Sequence, residues 1–158
     1  MTRGATALLA LLLAGAAGVA FADPEDSDAQ AARDPDITAG KQALEVRDWK
    51  EAAGRFAKAA LRDPGNADLQ NYLGYSYRHL GRYQLAFEHY QRALAINPRH
   101  KGAHEYIGEA YLETGDLAGA ERHLAILKSL CPLSCEQLED LQREVAAFRE
   151  NKAVAPKR

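Results

Sequence analysis

Three prolines divide the chain at equal intervals. Pro64, Pro98 and Pro132 are each 34 residues from the next, and each follows a run rich in alanine and leucine. Proline has no backbone N–H to donate and its ring clashes with the preceding helical turn, so a helix that reaches such a proline ends there. Three helix ends at equal spacing predict three copies of one helical unit. Repeats of this length are typical of solenoids, in which each unit packs on its neighbours.

Other positions fall into register when the copies are aligned on these prolines. The second copy contains Leu73, Gly74, Tyr77, Leu80, Gly81, Tyr83, Ala86, Tyr90 and Ala93. The third contains Ile107, Gly108, Tyr111, Thr114, Gly115, Leu117, Ala120, Leu124 and Leu127, and the first retains Gly40, Trp49, Ala52, Phe56 and Ala59. This pattern resembles the tetratricopeptide repeat (TPR) family. The resemblance implies an all-α fold, an α-solenoid of three helix-turn-helix units.

The recurring residue types have physical roles in such a repeat. Tyr90 is large enough to fill the space between one unit and the next. Gly81 and Gly115 are predicted to end the first helices of their units, where a left-handed cap suits glycine. The first copy has Ala39 and Ala43 where larger residues are usual in the family, so we expect its first helix to be loosely packed.

The three units are predicted over residues 37–132, with approximate boundaries at 33–66, 67–100 and 101–133. A capping helix is predicted over 134–151, because Ser134 and Gln137 form a capping-box pattern and apolar side chains then recur on one face. These side chains are Leu138, Leu141, Val145 and Phe148. We expect them to cover the open end of the last unit, as a solenoid requires, with docking of a partner as the alternative role. Residues 152–158 are predicted to be a loose tail.

The first 22 residues have the features of a cleavable signal peptide. Arg3 precedes a run of Ala, Leu and Gly, and small residues occupy the positions in Ala20-Phe21-Ala22 that a signal peptidase reads. The run is shorter than the roughly 20 residues that span a bilayer, which favours cleavage over a retained membrane anchor. We expect export to the periplasm, with secretion as the alternative. Residues 23–36 are predicted to form a flexible acidic lead-in.

The charge of the mature chain excludes several function classes. Removal of the signal segment leaves 19 Lys and Arg against 22 Asp and Glu. This balance gives no field that would collect nucleic acid, and no basic cluster that would hold the mature chain on a membrane. The sequence also lacks the motifs of phosphate-binding loops, serine hydrolases and zinc proteases. We therefore predict a protein that is not an enzyme and carries no cofactor.

Cys131 and Cys135 lie on either side of Pro132. In an exported chain an even number of cysteines usually means a disulfide, and a turn begun by Pro132 would bring the two thiols together. We predict a disulfide that fixes the angle between the third unit and the capping helix. The C-x-x-x-C spacing leaves two alternatives open, a redox-active pair and a site for copper or another soft metal.

His100 and His104 are four residues apart, a spacing that can place two imidazoles on one face of a helix. However, His100 is expected to precede that helix, and His104 stands where the family usually has a large aromatic residue. The sequence therefore predicts a packed imidazole at His104 and no metal site. His89 and His123 are interpreted as surface or rim residues of second helices.

In TPR proteins the first helix of each unit lines a concave face. The resemblance places partner-contacting side chains at Lys41, Asn71, Tyr75, Arg78, His79, Glu105, Glu109 and Glu113. The three glutamates are spaced to form one acidic stripe along a helix. Two interpretations of this stripe stay open, a surface for a partner and a solvated face that pairs with Arg78 across the groove.

The resemblance also argues against one family function. TPR domains that clamp the acidic tails of cytosolic chaperones use two Asn, two Lys and one Arg, but Lys41 stands at a clamp Asn position and Gly102 at a clamp Lys position. We expect instead an exported scaffold, assembly factor or chaperone that holds a peptide or helix of another protein in its concave groove. The alternative is a redox or metal-handling accessory that uses Cys131 and Cys135 in maturation of a cofactor-containing enzyme. Self-association through the first repeat is a third expectation.

Overall fold

The computed structural model describes residues 34–154, and this part of the chain consists of α-helices joined by short turns, without strands. Its helices are α1 (Pro35–Glu45), α2 (Trp49–Arg62), α3 (Ala67–His79), α4 (Tyr83–Ile96), α5 (Lys101–Glu113), α6 (Leu117–Leu130) and α7 (Glu136–Val154). The predicted all-α fold class is confirmed.

The helices pack in chain order. The pairs α1–α2, α3–α4 and α5–α6 form three repeats, while α2 on α3 and α4 on α5 join each repeat to the next. The first helices α3 and α5 also contact each other, and α7 packs on both α5 and α6. The predicted solenoid of three helix-turn-helix units with a C-terminal capping helix is therefore confirmed.

The turn between the two helices of each repeat contains a residue in the left-handed region. Gly81 has a φ of +70° and Gly115 a φ of +87°, as the sequence predicts. The equivalent position in the first repeat holds Arg47, with a φ of +59°. An L side chain in this conformation costs roughly 1 kcal/mol. Hydrogen bonds of the turn hold Arg47 in this conformation: the N–H of Asp48 donates to the carbonyl of Ala43 at 2.8 Å, as in a Schellman motif.

A glycine in each first helix admits a large side chain from a neighbouring helix. A Cβ added to Gly40 would lie 2.7 Å from the ring of Phe56, and one added to Gly74 would lie 2.5 Å from the ring of Tyr90. Both rings are fully buried. The first helix of the first repeat is therefore not loosely packed as predicted, because Phe56 packs closely against Gly40 and shares a buried cluster with Ala43.

In the third repeat, a side chain of the capping helix packs against the glycine of the first helix. Leu124 occupies the position that holds Tyr90 in the second repeat, but its side chain is too short to fill the space beside Gly108. Leu141 of α7 lies there instead, so that a Cβ on Gly108 would be 2.6 Å from its side chain. The rest of the predicted apolar face joins the same cluster: Leu138, Val145 and Phe148. The prediction that this helix covers the open end of the last unit is confirmed.

The first helix begins within the segment predicted to be a flexible lead-in. It starts at Pro35 because the carboxylate of Asp34 caps it, accepting a hydrogen bond from the N–H of Asp36 at 2.8 Å. Asp34 also forms an ion pair of 2.7 Å with Arg62 on α2. These contacts tie the acidic end of the lead-in to the first repeat.

The last helix differs from its predicted bounds at both ends. It begins at Glu136, and the predicted capping box of Ser134 and Gln137 is not formed. The hydroxyl of Ser134 donates instead to the carboxylate of Glu139. The helix then continues to Val154, past the predicted start of the tail at residue 152.

Several predictions fall on residues that the structure does not describe. They are the signal peptide over 1–22, the lead-in over 23–33 and the tail over 155–158. Of the helices that are described, none combines the length and the apolar character that a membrane crossing needs.

Candidate functional site

A groove of about 470 Å³ opens between the first helices of the second and third repeats and the capping helix. Its lining residues are Tyr75, Arg78 and His79 of α3, Glu105, Tyr106, Glu109, Leu112 and Glu113 of α5, and Glu144 of α7. Residues three and four apart share one face of a helix, which is why each helix presents several of these side chains to the same space. Six of the eight predicted groove residues thus line one cavity.

Arg78 is the only cation among the lining residues that is always charged, and it is 7% exposed. Its guanidinium lies 2.7 Å from the carboxylate of Glu109 and also forms an ion pair with Glu113. A buried guanidinium is tolerated where it is paired and hydrogen-bonded in this way. The acidic stripe on α5 is therefore partly neutralised from across the groove, as one of the two interpretations predicted.

Glu105, the third member of the stripe, has no such partner. It is 6% exposed, and its carboxylate makes no hydrogen bond or ion pair with the residues described. Burial raises the pKa of Glu105 to about 7, and the nearby negative charges of Glu109 and Asp140 add to the effect. Burial also raises the pKa of Glu109, although the charge of Arg78 opposes that rise.

Aromatic rings form the other part of the groove. The rings of Tyr75 and Tyr106 lie 4.9 Å apart between centroids, and the guanidinium of Arg78 lies 5.3 Å and 5.8 Å from them. Trp49 reaches in from the first repeat and stacks on His79 at 4.2 Å. The lining therefore combines carboxylates with aromatic faces, both of which attract cations.

Two predicted groove residues lie elsewhere. Lys41 is exposed, and its ammonium group lies 5.7 Å from the ring of Tyr72. Asn71 is 5% exposed and its side-chain oxygen has no hydrogen-bond partner among the described residues. Neither lines the cavity, because Lys41 belongs to the first repeat and the position of Asn71 in α3 turns its side chain into the interior.

Sequence reasoning missed Tyr106 and Glu144. Tyr106 occupies the same repeat position as Tyr72, next to a position at which the family contacts its partners. The tyrosine at this position in both repeats is the signal that could have identified it. Glu144 lies on the capping helix, which does not follow the repeat pattern. No sequence signal could place it at the groove.

The predicted disulfide between Cys131 and Cys135 is present. Cys131 is the C-cap of α6, is 4% exposed and belongs to the apolar cluster that α6 and α7 share. The bond therefore joins the end of the third repeat to the start of the capping helix. Within residues 34–151, no three His, Cys, Asp or Glu side chains converge as a metal site needs.

The histidines of the third repeat have structural partners. His100 is the N-cap of α5, as expected: its Nδ1 accepts from the N–H of Ala103 at 3.1 Å, and its Nε2 lies 2.8 Å from a carboxylate oxygen of Asp68. His104 is buried, as predicted, with its Nε2 3.0 Å from the carbonyl of Pro98.

His89 and His123, interpreted as surface or rim residues of second helices, are both half-buried and hydrogen-bonded. The Nδ1 of His89 lies 2.9 Å from the side-chain oxygen of Gln70. The Nδ1 of His123 lies 2.9 Å from the Nδ1 of His104. The Nε2 of His104 donates to a carbonyl, so in its neutral imidazole the Nδ1 accepts from His123. Burial, reinforced by His104, lowers the pKa of His123 to about 4.

Comparison with known proteins supports the repeat assignment. Two family models, both described as tetratricopeptide repeat, match residues 37–99 and 77–130. The Yersinia enterocolitica type III secretion translocator chaperone SycD is similar in structure, with a TM-score of 0.68 and 18% identity over 84% of this chain and 90% of that one. SycD in complex with a peptide of the translocator YopD has a TM-score of 0.66 and 19% identity, over 80% and 95%.

A human structure is similar as well. The second TPR domain of human RPAP3, in complex with the HSP70 peptide SGPTIEEVD, has a TM-score of 0.64 and 18% identity. That alignment covers 72% of this chain and 92% of the RPAP3 chain. At these identities the structural likeness concerns the fold.

Proposed function

Because the chain belongs to the tetratricopeptide repeat family, we propose that it is a protein interaction module that holds a peptide or helix of another protein in its concave groove. The single observation that carries the proposal is the convergence of side chains from α3, α5 and α7 on one open cavity of about 470 Å³. A volume of roughly 300–1,000 Å³ is typical of ligand sites. The module would act as a scaffold, an assembly factor or a chaperone.

The similar structures support this proposal. SycD is a chaperone that has been seen with a translocator peptide, and the RPAP3 domain has been seen with a chaperone peptide. A fold does not by itself define a partner, so the identity of the guest depends on the side chains of this groove.

Those side chains disfavour an acidic guest. The peptide held by RPAP3 ends in Glu-Glu-Val-Asp, whereas the groove described above contains four carboxyl groups and a single arginine. Two carboxylates of α5 already pair with the two terminal nitrogens of that arginine. The sequence-based expectation that the chaperone-tail cradle is absent agrees with this lining.

We also propose that the protein is exported to the periplasm after cleavage of residues 1–22. The features of that segment support the proposal, and a disulfide is compatible with an oxidising compartment. The mature N-terminus, determined by sequencing of the protein recovered from its native cell envelope, tests it. An intact N-terminus would leave a retained anchor as the explanation.

Trp49 provides a direct test of groove binding. It is the only tryptophan in the sequence and stacks on His79 beside the cavity, so its fluorescence should change when a guest binds. Partners captured from the exported fraction would be titrated against the wild-type protein and two charge-reversal variants of α7. Glu144→Lys alters the groove lining, whereas Glu150→Lys changes an exposed residue of the same helix outside it.

We expect binding to weaken in Glu144→Lys and to persist in Glu150→Lys. A partner that binds both variants as tightly as the wild type, without a change in Trp49 fluorescence, would place the interaction outside the groove.

A further inference from the structure

We propose that Glu105 anchors a basic residue of the guest, so that the groove selects protein segments that carry a lysine or arginine side chain. This inference rests on the proposed function, because it specifies the chemistry of the partner that the groove would hold. It concerns one carboxylate of the cavity and one cationic side chain of the guest.

The unpartnered state of Glu105 is the first observation. The side chain lines the groove and is 94% buried, yet its carboxylate has no hydrogen bond or ion pair among the described residues. A largely buried carboxylate without a partner is destabilised in its charged form. Its two neighbours on the same helix differ, since both Glu109 and Glu113 are paired with Arg78. Glu105 is thus the buried acid of the groove that no cation within the described chain balances.

The charges around Glu105 favour a positive ligand. Glu109, Glu136 and Asp140 all act on it with negative charge, and Arg78 opposes them only weakly. The cavity lining itself contains four carboxyl groups, those of Glu105, Glu109, Glu113 and Glu144. A cation placed beside Glu105 would therefore be attracted by the whole set, whereas an acidic or phosphorylated guest would be repelled.

The remaining lining residues suit an organic cation with an apolar stem. Tyr75 and Tyr106 offer aromatic faces, and Leu112 is a buried apolar contact in the same cavity. Lysine and arginine side chains combine a charged head with methylene groups that pack on such surfaces. A bound metal ion does not fit equally well, because no three potential ligands converge among the described residues.

Arg78 illustrates the arrangement that we infer for the guest. Its guanidinium is buried, paired with carboxylates of α5 and placed near both tyrosine rings. The groove thereby already accommodates one arginine head group between carboxylates and aromatic rings. Glu105 lies one helical turn before Glu109 and lines the same open cavity, so a cationic head group of the guest would lie next to Arg78.

Selection from a phage-displayed library of random short peptides tests the proposal with the full mature chain. We expect the wild-type protein to select peptides with a lysine or arginine at one fixed position. A synthetic peptide of the selected sequence should bind about tenfold more weakly when that residue is replaced by glutamine, and about tenfold more weakly to Glu105→Gln. The two losses should not add, because both remove the same contact.

Two variants complete the design. Glu150→Gln removes an exposed carboxylate of α7 outside the cavity and should bind like the wild type. Glu105→Asp keeps the charge and shortens the side chain, so it should retain selectivity for basic peptides even if affinity falls. Circular dichroism of each variant establishes that it is folded before binding is measured.

The possible results separate this inference from the proposed function. Selection of neutral or acidic peptides whose binding is lost in Glu144→Lys would overturn the role of Glu105 while the groove remains the binding site. Basic peptides that bind Glu105→Gln as tightly as the wild type would overturn it too. If no selected peptide depends on any groove residue, both proposals fail.

Discussion

The guanidinium of Arg78 on α3 lies 2.7 Å from the carboxylate of Glu109 on α5. The two residues belong to neighbouring repeats, so their ion pair joins the second unit to the third across the floor of the groove. Arg78 is 7% exposed and Glu109 is 18% exposed at the side chain, which places the pair largely out of water. The same ion pair therefore holds the second and third repeats together and neutralises part of the negative charge of the groove.

Replacement of Arg78 by methionine should destabilise the protein. It leaves Glu109 without its cationic partner in a poorly hydrated site, and the loss of one member of a buried pair costs about 3–5 kcal/mol. Because Glu109 keeps some contact with water, we expect a decrease of about 2–4 kcal/mol in the free energy of unfolding, measured by urea denaturation.

Arg143→Met is the matched control for that variant. Arg143 pairs with Asp140 at 2.7 Å, but its side chain is 66% exposed. Exposed pairs of this kind contribute little to stability, so the free energy of unfolding of this variant should stay close to that of the wild type. Equal effects of the two substitutions would contradict the structural role assigned to Arg78.

Glu105→Gln should change how stability depends on pH. The pKa of Glu105 is raised from 4.5 to about 7 in the folded protein, so between these values the folded state binds more protons than the unfolded state. The stability of the wild type should therefore fall as pH rises through this window. The glutamine variant lacks that loss and should be more stable than the wild type above pH 7, by an amount on the order of 2 kcal/mol.

Thermal unfolding followed at a series of pH values measures this difference. The groups that face Glu105, namely Glu109, Glu136, Asp140 and Arg78, are retained in the variant, so the difference between the two profiles reports the titration of Glu105 together with its coupling to them. Parallel curves for wild type and Glu105→Gln would show that Glu105 titrates normally.

Gly74→Ala and Gly54→Ala should have opposite effects on stability. A Cβ on Gly74 would lie 2.5 Å from the buried ring of Tyr90, so the ring or the helix must shift, at a cost of roughly 1–3 kcal/mol. A Cβ on Gly54, inside α2, would meet nothing within 4 Å, and alanine should stabilise that helix by roughly 0.5–1 kcal/mol. Chemical denaturation of both variants tests the close approach of α3 and α4, and similar effects would count against it.

Arg47→Gly should stabilise the first repeat. The φ of +59° at Arg47 is strained for an L side chain and relaxed for glycine. The unfolded chain gains entropy from the new glycine, which reduces the benefit, so we expect a net gain of a few tenths to about 1 kcal/mol. The reverse change in the second repeat, Gly81→Ala, should destabilise by about 1 kcal/mol at a φ of +70°. A loss of stability in Arg47→Gly would mean that contacts of the arginine side chain stabilise the fold by more than the positive φ destabilises it.

Replacement of Cys131 and Cys135 by alanine should lower stability without removing guest binding. The disulfide closes a short loop, which contributes about 2 kcal/mol in the chain-entropy model. Melting temperature and Trp49 fluorescence titrations, each with and without reductant, provide the measurement. If the double variant binds its partner fully but loses biological activity, the redox or metal-handling alternative would replace the structural role.

The repeat could be read from the sequence because the spacing of its prolines and glycines reflects local requirements of the chain. A helix cannot continue through Pro98, and the turn after α3 needs the left-handed residue that Gly81 supplies. The repeat register then determines which residues of α3 and α5 share a face, so the sequence places Tyr75 and Glu109 in one groove.

What the sequence could not predict depends on packing between elements that do not repeat. Leu141 replaces a missing aromatic residue of the third repeat, and Glu144 reaches the groove, only because α7 lies across α5 and α6 at a particular angle. The burial of Asn71 and the contact between His104 and His123 depend in the same way on how neighbouring helices are rotated. The 34-residue spacing contains no information on these angles.

Mapping of the bound guest by two-dimensional amide NMR tests the central claim most directly. With a labelled chain and a partner segment captured as described above, we expect the large shift changes to fall on the groove side of α3, α5 and α7, around Tyr75, Glu105 and Glu144. Exposed positions of the second helices, such as Lys58 on α2 and Gln91 on α4, should be unaffected. Changes concentrated on those second helices, with the groove residues unchanged, would contradict the claim that this cavity is where the protein holds its partner.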